Sequence, residues 1–402
     1  MISYAYLRNA RLRNAIVHTS FVSVSPNPFR YGDLALDDAF TDRVDELAAL
    51  EADCLAGQNV VLFAPRRFGK SSLVWRAAQR LQRQGVLVAQ IDLMRTPTKE
   101  RFAEHLARAI HDDIASVLFR ARERLGIFSG LRVTPVITID PDDASVGFSF
   151  DAGHRRQDID ATIERLLELP AQLAADRGRR AVLVFDEFQE VTRIDPQLPS
   201  LMRSIFQTQP EVAHVYLGSR RHLLERLFHD ENEPFWRSAK QMELGVIASE
   251  QFGPYISRRF GRSGQRIDAA GVAWILARTG GHPYATQELC SFVWQAGPAD
   301  SAVDQAQLEG GMVALLRSEN ARFTSVWEAA PRSQRLLLQA LADGPGRPLA
   351  GEFRRRHGLA AASTVQRAVA ALVADELIAP MATGEHGIAE PFLAEWVRRF
   401  AT

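Results

Sequence analysis

The sequence predicts an α/β chain: a parallel sheet covered by helices on both faces, then an all-helical unit, then a small helix-turn-helix with a wing. Three observations predict it. Short, wholly apolar runs alternate with amphipathic helical stretches as far as about residue 248, the pattern of a doubly covered parallel sheet. After about Ser249 the strand-like runs stop and helical periodicity takes over. Beyond Pro331 three helical patterns lead into two short strand-like pieces around a Gly-containing turn. A chain of 402 residues has room for two or three domains at roughly 100–200 residues each. The divisions fall at 27–248, 249–330 and 331–402, with 1–26 as an N-terminal extension of unassigned order.

In chain order, NPFRYGDLALDDAFTDRVDELAAL ends in a helical pattern with Val44, Leu47 and Leu50 on one side. Asn59–Ala64 is a buried strand, and Ser71–Gln84 is a helix with Leu73, Ala77 and Leu81 on one face, stopped by Gly85. Val86–Ile91 is the next strand, with Asp92 at its end. Lys99–Leu125 reads as one helix with Phe102, Leu106, Ile110, Ile114 and Leu118 in a stripe. Val133–Ile139 and Val146–Phe150 alternate apolar and polar residues around PDD and read as a hairpin. A helix over Ile159–Asp176 precedes the strand Ala181–Phe185; Val212–Leu217 is a further strand, and Gln241–Leu244 a fifth for the sheet.

Composition narrows the partners. Formal net charge is zero, so a nucleic-acid surface would have to be local. The two cysteines, Cys54 and Cys290, sit far apart among apolar residues and read as core thiols, which fits a cytoplasmic home better than an oxidising one. The first residues lack the continuous apolar core of a signal peptide. No run of about 18 apolar residues marks a membrane span. The chain carries three lysines, Lys70, Lys99 and Lys240, against 45 arginines (48 − 3), so a lysine at 70 is more informative than usual.

That lysine lies in LFAPRRFGKSSLVW. A strand, a tight loop and a helix start are what a phosphate cradle needs: backbone N–H groups converge on the phosphate oxygens at a helix N-terminus. The nucleotide-binding set is Pro65, Arg66, Arg67, Phe68, Gly69, Lys70, Ser71 and Ser72. Gly69 permits close backbone approach, Lys70 reaches the β- and γ-phosphates, and Ser71 offers its hydroxyl to Mg²⁺. Ala64 stands where the motif's first glycine eases the exit from the strand, the smallest departure available. AVLVFDEFQEV supplies an acidic pair at a strand end: Asp186 for the Mg²⁺ shell, Glu187 as general base toward water. In VYLGSRRHLLERLF, Ser219 lies at a strand tip, where it could touch the γ-phosphate or the water beside Glu187. No guanine-reading N-K-x-D occurs, so ATP is favoured over GTP.

The ordered series NPF with FTDRVDEL, APRRFGKSSL, VLVFDEFQEV, YLGSRRHLLERLF, PFWRSAKQMELG, TGGHPYATQ and EPFLAEWVRRF resembles the archaeal-type ATPases of the STAND branch of the AAA+ superfamily, over about residues 27–402. The resemblance implies a P-loop NTPase (AAA+-like) sheet, an all-α lid and a C-terminal winged helix. It gives Lys70 and Ser71 the Walker A roles, Asp186 and Glu187 the Walker B roles, and Ser219 the sensor-1 place. It sets Pro283, in Gly281-His282-Pro283, beside the nucleotide as the lid's coupling proline; a plain helix-starting Gly-His-Pro is the other reading. Arg237 is a candidate finger-like arginine.

In the C-terminal unit, helices are expected at Arg335–Leu341 and Leu349–His357. A third is expected behind a capping box at Ser363 and Gln366, turning Val365, Ala368, Val369, Leu372 and Val373 inward. Leu377–Pro380 and Gly387-Ile388 form the wing. Nine arginines against seven acids leave +2 (9 − 7), and the third helix ends in Asp375-Glu376, so few phosphate contacts are available. A structural or protein-docking wing is favoured over a DNA grip. The expected function is an ATP- and Mg²⁺-dependent ATPase switch, slow or partner-stimulated, with an unidentified protein partner or self-association. A DNA-binding, initiator-like or transcription-regulating ATPase and a non-hydrolysing, nucleotide-stabilised scaffold are the alternatives.

Overall fold

The computed structural model describes residues 26–401 apart from 33–39, 42, 119–123, 129–130, 132–135, 140–145, 150–155, 299 and 382. Most of the N-terminal extension (1–25) and the outer ends of the expected hairpin lie outside the described residues.

Five strands, β1 (Val60–Phe63), β2 (Leu87–Asp92), β5 (Ala181–Asp186), β6 (Val212–Gly218) and β7 (Lys240–Glu243), form one sheet. Its order is β2-β5-β6-β1-β7, and every pairing is parallel. The sequence-adjacent β1 and β2 are not neighbours: β5 and β6 lie between them. The strands β3 (Val136–Ile139) and β4 (Val146–Ser149) pair antiparallel as a separate hairpin.

The continuous apolar runs are explained by burial on both faces. Val61, Phe63, Leu183, Phe185 and Tyr216 join a core with the helices Lys99–Ala109, Arg156–Asp176, Leu198–Phe206 and Arg221–His229. The alternate residues Val60, Leu62, Val182, Val184, Val215 and Leu217 meet the helices Val44–Leu55 and Lys70–Arg83 on the other face. In the first of these helices Leu47, Leu50 and Cys54 are buried, but Val44, expected inward, is 66% exposed. It sits at the helix start, where the turn has not yet come round to the sheet.

The long helix expected from Lys99 does not continue as an α-helix. It is α-helical to Ala109, turns to a π-helix over Ile110–Ala115, and resumes for Ser116–Leu118. The stripe Phe102, Leu106, Ile110, Ile114, Leu118 explains this. A strict spacing of four drifts about 40° per step on a helix of 3.6 residues per turn. A wider turn brings the late members back in line, and Ile110 and Ile114 are fully buried.

From Ser249 to Ala329 the chain is helical: Ser249–Arg262, Ala269–Thr279, Pro283–Gln295 and the long Gln305–Ala329. The last unit has helices Arg332–Ala342, Gly351–Arg356 and Ala362–Ala374, a hairpin of β8 (Ile378–Pro380) and β9 (His386–Ile388), and the helix Pro391–Phe400. The capping box did not form. The third helix starts at Ala362 behind Ala361, with no side-chain cap, so Ser363 is already inside it. Val365, Ala368 and Leu372 face inward, whereas Val373 is 37% exposed.

His214, in the middle of β6, carries a measurable consequence of the doubly covered sheet. It is fully buried, stacked on Phe206 at 3.8 Å between ring centroids. Asn59 Oδ1 lies 3.1 Å from its Nδ1, and its Nε2 has no hydrogen-bond partner. Burial pushes its pKa down to about 3. The folded chain therefore keeps this ring neutral while the unfolded chain protonates it below about 6.5. Stability from this residue is complete above about pH 6.5 and is lost as pH falls toward 3. Thermal melts from pH 7 to 4 should show one proton fewer taken up on unfolding in His214→Leu than in the parent chain.

Candidate functional site

The sheet order builds the site. In parallel strands all carboxyl ends emerge on one edge, and β6 lies between β1 and β5 in a register that pairs Phe63 with Gly218 and Phe185 with Tyr216. The residues that follow, Ala64, Ser219 and the pair Asp186-Glu187, therefore stand side by side. On the far side of β5, Asp92 pairs with Asp186.

From β1 the loop Ala64–Gly69 runs into the helix Lys70–Arg83. Two residues of it occupy the left-handed region, Arg67 at φ 65° and Gly69 at φ 87°. Nothing lies within 4 Å of where a Gly69 side chain would begin, so the glycine is required by its backbone conformation rather than by crowding. Lys70 is buried, and its ammonium donates to the carbonyls of Ala64 at 2.6 Å and Pro65 at 2.8 Å. Burial holds this ammonium below the usual lysine range, opposed by Glu187 and Asp186. Ser71 is half-buried and Ser72 buried in the first turn of the helix.

Glu187 directly follows β5 in a left-handed conformation, φ 52° and ψ 46°. Its Oε2 accepts the Ser219 hydroxyl at 2.8 Å, the Ser219 backbone N–H at 3.2 Å and the Gln189 amide at 2.5 Å. Asp186 accepts the Glu187 backbone N–H at 2.9 Å. Burial first, then Glu187 and Asp92, push the Asp186 carboxyl up to about 6, with Lys70 pulling the other way. Asp92 pairs with Arg95 at 3.4 Å, which leaves Asp186 and Glu187 with Lys70 as their nearby cation. Two carboxylates against one ammonium leave a negative excess that suits a divalent cation, which Asp186 and the Ser71 hydroxyl could hold. Among the described residues no cluster of three or more His, Cys, Asp or Glu could hold a metal, so the rest of a Mg²⁺ shell would come from phosphate and water.

The loop also touches the helical unit. The Arg67 guanidinium lies 4.2 Å from the Tyr284 ring centroid, and Phe68 meets His282 edge-on at 4.5 Å. His282 caps the helix Pro283–Gln295 by accepting the Ala285 N–H at its Nδ1, and Pro283 is the first residue of that helix. Burial pushes His282 down to about 4, so the ring facing Phe68 is neutral near pH 7. On the winged helix, Glu376 approaches Arg66 to 4.0 Å and adds its charge to those acting on Lys70.

Sequence reasoning did not assign Gln189, Asp92 or Glu376 to the site. Nor did it foresee that Asn27, Phe29 and Tyr31 would lie on the lid. There Asn27 donates to the Ser291 hydroxyl at 2.8 Å, and Phe29 packs on Phe260. A glutamine two residues past an acid pair is visible in DEFQ, yet nothing in its spacing marks it. The structure does not bring Arg237 to the P-loop. It is exposed over Trp236 and precedes β7, whose Lys240 N–H bonds Asn59 O at the opposite end of β1.

Comparison with known proteins agrees with this architecture. The family described as a probable winged helix domain matches residues 321–399. A Walker-type ATPase of Pyrococcus abyssi superposes with a TM-score of 0.63 at 15% identity, over 92% of this chain and 99% of its own. The ORC2 protein of Aeropyrum pernix, in its ADPNP–ADP complexes, superposes at 0.53 with 14% identity, over 92% and 97%. No curated protein matches. The fold is that of an AAA+-type P-loop chain with a C-terminal winged helix.

The turn before Pro283 is held by a backbone contact. Gly281 has φ 72°, its carbonyl accepts the Ile247 N–H at 2.9 Å, and a side chain there would start 2.2 Å from Ile247 O. Gly281→Ala should lower stability by about 1–3 kcal/mol, read as a drop in melting temperature. An unchanged melt would show that the turn relaxes freely.

Proposed function

We propose that this chain is a STAND/AAA+-type molecular switch that binds ATP with Mg²⁺, hydrolyses it slowly and couples the nucleotide to the lid and winged helix. One observation carries the reading. The loop that sets Lys70 against Asp186 and Glu187 also presents Arg67 and Phe68 to the lid and Arg66 to the winged helix. A ligand that reshapes that loop would act on these contacts.

The residue roles follow from chemistry. Loop N–H groups from Arg66 to Ser72 and the Lys70 ammonium would hold the β- and γ-phosphates, Lys70 exchanging its bonds to Ala64 and Pro65 for phosphate oxygens. Bound Mg²⁺ supplies charge neutralisation on those oxygens. Ser71 and Asp186 would hold it. Glu187 would take the proton from the water that attacks the γ-phosphorus as the bond to ADP breaks, giving ADP and phosphate. Ser219 would orient that water beside Glu187, and Pro283 would follow the nucleotide from the lid. The three units 27–248, 249–330 and 331–402 are the proposed ATPase, lid and output domains. Buried free thiols at Cys54 and Cys290 suit a cytoplasmic setting.

A protein, or a second copy of the chain, is the proposed partner rather than DNA. Leu349, Val373 and Met381 are exposed apolar residues of the winged helix, at 48%, 37% and 46%. These side chains are available to a protein partner, and nine arginines against seven acids offer a phosphate backbone few contacts.

Lys70→Ala should abolish ATP binding in calorimetry; wild-type affinity would reject the site. Glu187→Gln should retain ATP and turn it over about 100-fold or more slowly; equal turnover would mean that another group is the base. The coupling has its own test. Glu376 and Arg66 are both largely exposed, so their pairing is weak and screened. Glu376→Gln should tighten ATP about two- to fivefold at low salt, and the gain should vanish in 0.5 M salt. Identical affinities at both salts would mean that the winged helix does not sense the phosphates.

A further inference from the structure

Gln189 lies two residues past Glu187, in the 3₁₀ turn Phe188–Glu190. It is 4% exposed. Its Nε2 donates to Glu187 Oε2, the same oxygen that accepts both donors of Ser219. Three donors from two separate elements converge on one carboxylate oxygen. The other end of the amide, Oε1, is buried with no hydrogen-bond partner in the protein. It rests against Gly218: a side chain starting there would lie 2.3 Å from it.

Packing alone does not ask for this residue. Leucine would fill the same space without burying an unpaired carbonyl. Glutamate would set a second carboxylate against the first. An amide is neutral and still donates, and Gly218 is the one residue type that leaves room for it. Both features serve the contact with Glu187. That carboxylate needs holding, because its backbone is in the left-handed region and its side chain leaves β5 in a direction that strand geometry does not fix.

We propose that Gln189 is a positioning residue for ATP hydrolysis: it and Ser219 pin one oxygen of the Glu187 carboxylate, and Gly218 makes the space for it. The proposal rests on the reading of Glu187 as the base. It concerns the orientation of that base and not the binding of nucleotide.

The test measures ATP affinity and single-turnover hydrolysis for the parent chain, Gln189→Leu, Gln189→Glu, Gly218→Ala, Gln189→Ala and the double variant Gly218→Ala/Gln189→Ala. Gln189→Leu should keep ATP affinity within about twofold and slow hydrolysis about 10- to 100-fold, the scale of a misplaced catalytic group. In Gln189→Glu the two carboxylates share a proton, so hydrolysis should slow with a displaced pH profile. Gly218→Ala should push the amide away and slow hydrolysis as well. In the Gln189→Ala background the remaining close neighbour of that side chain is Leu224 Cδ2, at 3.0 Å, so Gly218→Ala should cost much less there than in the parent chain. Parent-like hydrolysis in folded Gln189→Leu and Gln189→Glu would overturn the positioning role while leaving the ATPase reading intact. So would additive losses in the double variant, or affinity falling in step with rate. A parent chain that binds ATP but never hydrolyses it would overturn both.

Discussion

The site depends on one constraint: β6 is inserted between β1 and β5 in a parallel sheet. Carboxyl ends of parallel strands lie on one edge, so neighbouring strands bring their following residues together. With β6 between them, the P-loop lysine and the acid pair are held one strand apart, and Ser219 fills the gap. Were β5 directly beside β1, Glu187 would have no partner from a third strand. The strands β1, β5 and β6 are buried on both faces, so they must lie inside the sheet and beneath both helix layers.

On that frame the electrostatics are lopsided by design of the residues present. Asp186 and Glu187 face one ammonium, with Asp92 held by Arg95 beside them, and the site raises Asp186 to about 6. Lys70, meanwhile, is desolvated and bonded to carbonyls of its own loop. Each half lacks what a magnesium-bound triphosphate carries: anionic oxygens for the lysine and loop amides, a dication for the acids. The two deficits lie side by side, which is the physical basis for reading the site as a nucleotide pocket rather than a structural ion-pair network.

Much of this was legible because it is local. GKSS after an apolar run specifies a loop and a helix start, and DE after VLVF specifies a strand end; neither depends on distant residues. The stripes at Leu73, Ala77 and Leu81 were legible for the same reason, and all three are buried. What escaped depends on partners remote in sequence. Asn27 is fixed by Ser291, 264 residues away. Glu376 gains meaning from Arg66, and Gln189 from Gly218 and Ser219 on a strand that follows it. Val44 and Val373 failed differently: periodicity marks a face, but each lies at the end of its helix, where the packed neighbour stops. The stripe from Phe102 was read correctly as buried. Its strict spacing of four was itself the signal of a widened turn, which an α-helical template does not test.

The lid and the winged helix are joined by a shared interior, and this determines how a nucleotide signal can travel. Ile275, Leu289 and Leu316 from the lid belong to one buried cluster with Leu337, Leu372, Phe392 and Trp396 of the winged helix. The helix Gln305–Ala329 lies at their junction: Phe323 packs near Trp396, whose indole donates to Asn320 at 2.8 Å, and Arg322 reaches Glu390 at 3.5 Å. Separating them would expose several large side chains at roughly 25 cal/mol per Å² of apolar surface. The contacts from the P-loop are, by comparison, two ring contacts and one exposed ion pair. The link from the P-loop is therefore slighter than the link between lid and winged helix, while Asn27, Phe29 and Ile247 tie the chain before Ser249 to the lid by other contacts. Under the proposed coupling, a change at Arg67 or Phe68 that moved the lid would act on the winged helix through this shared interior.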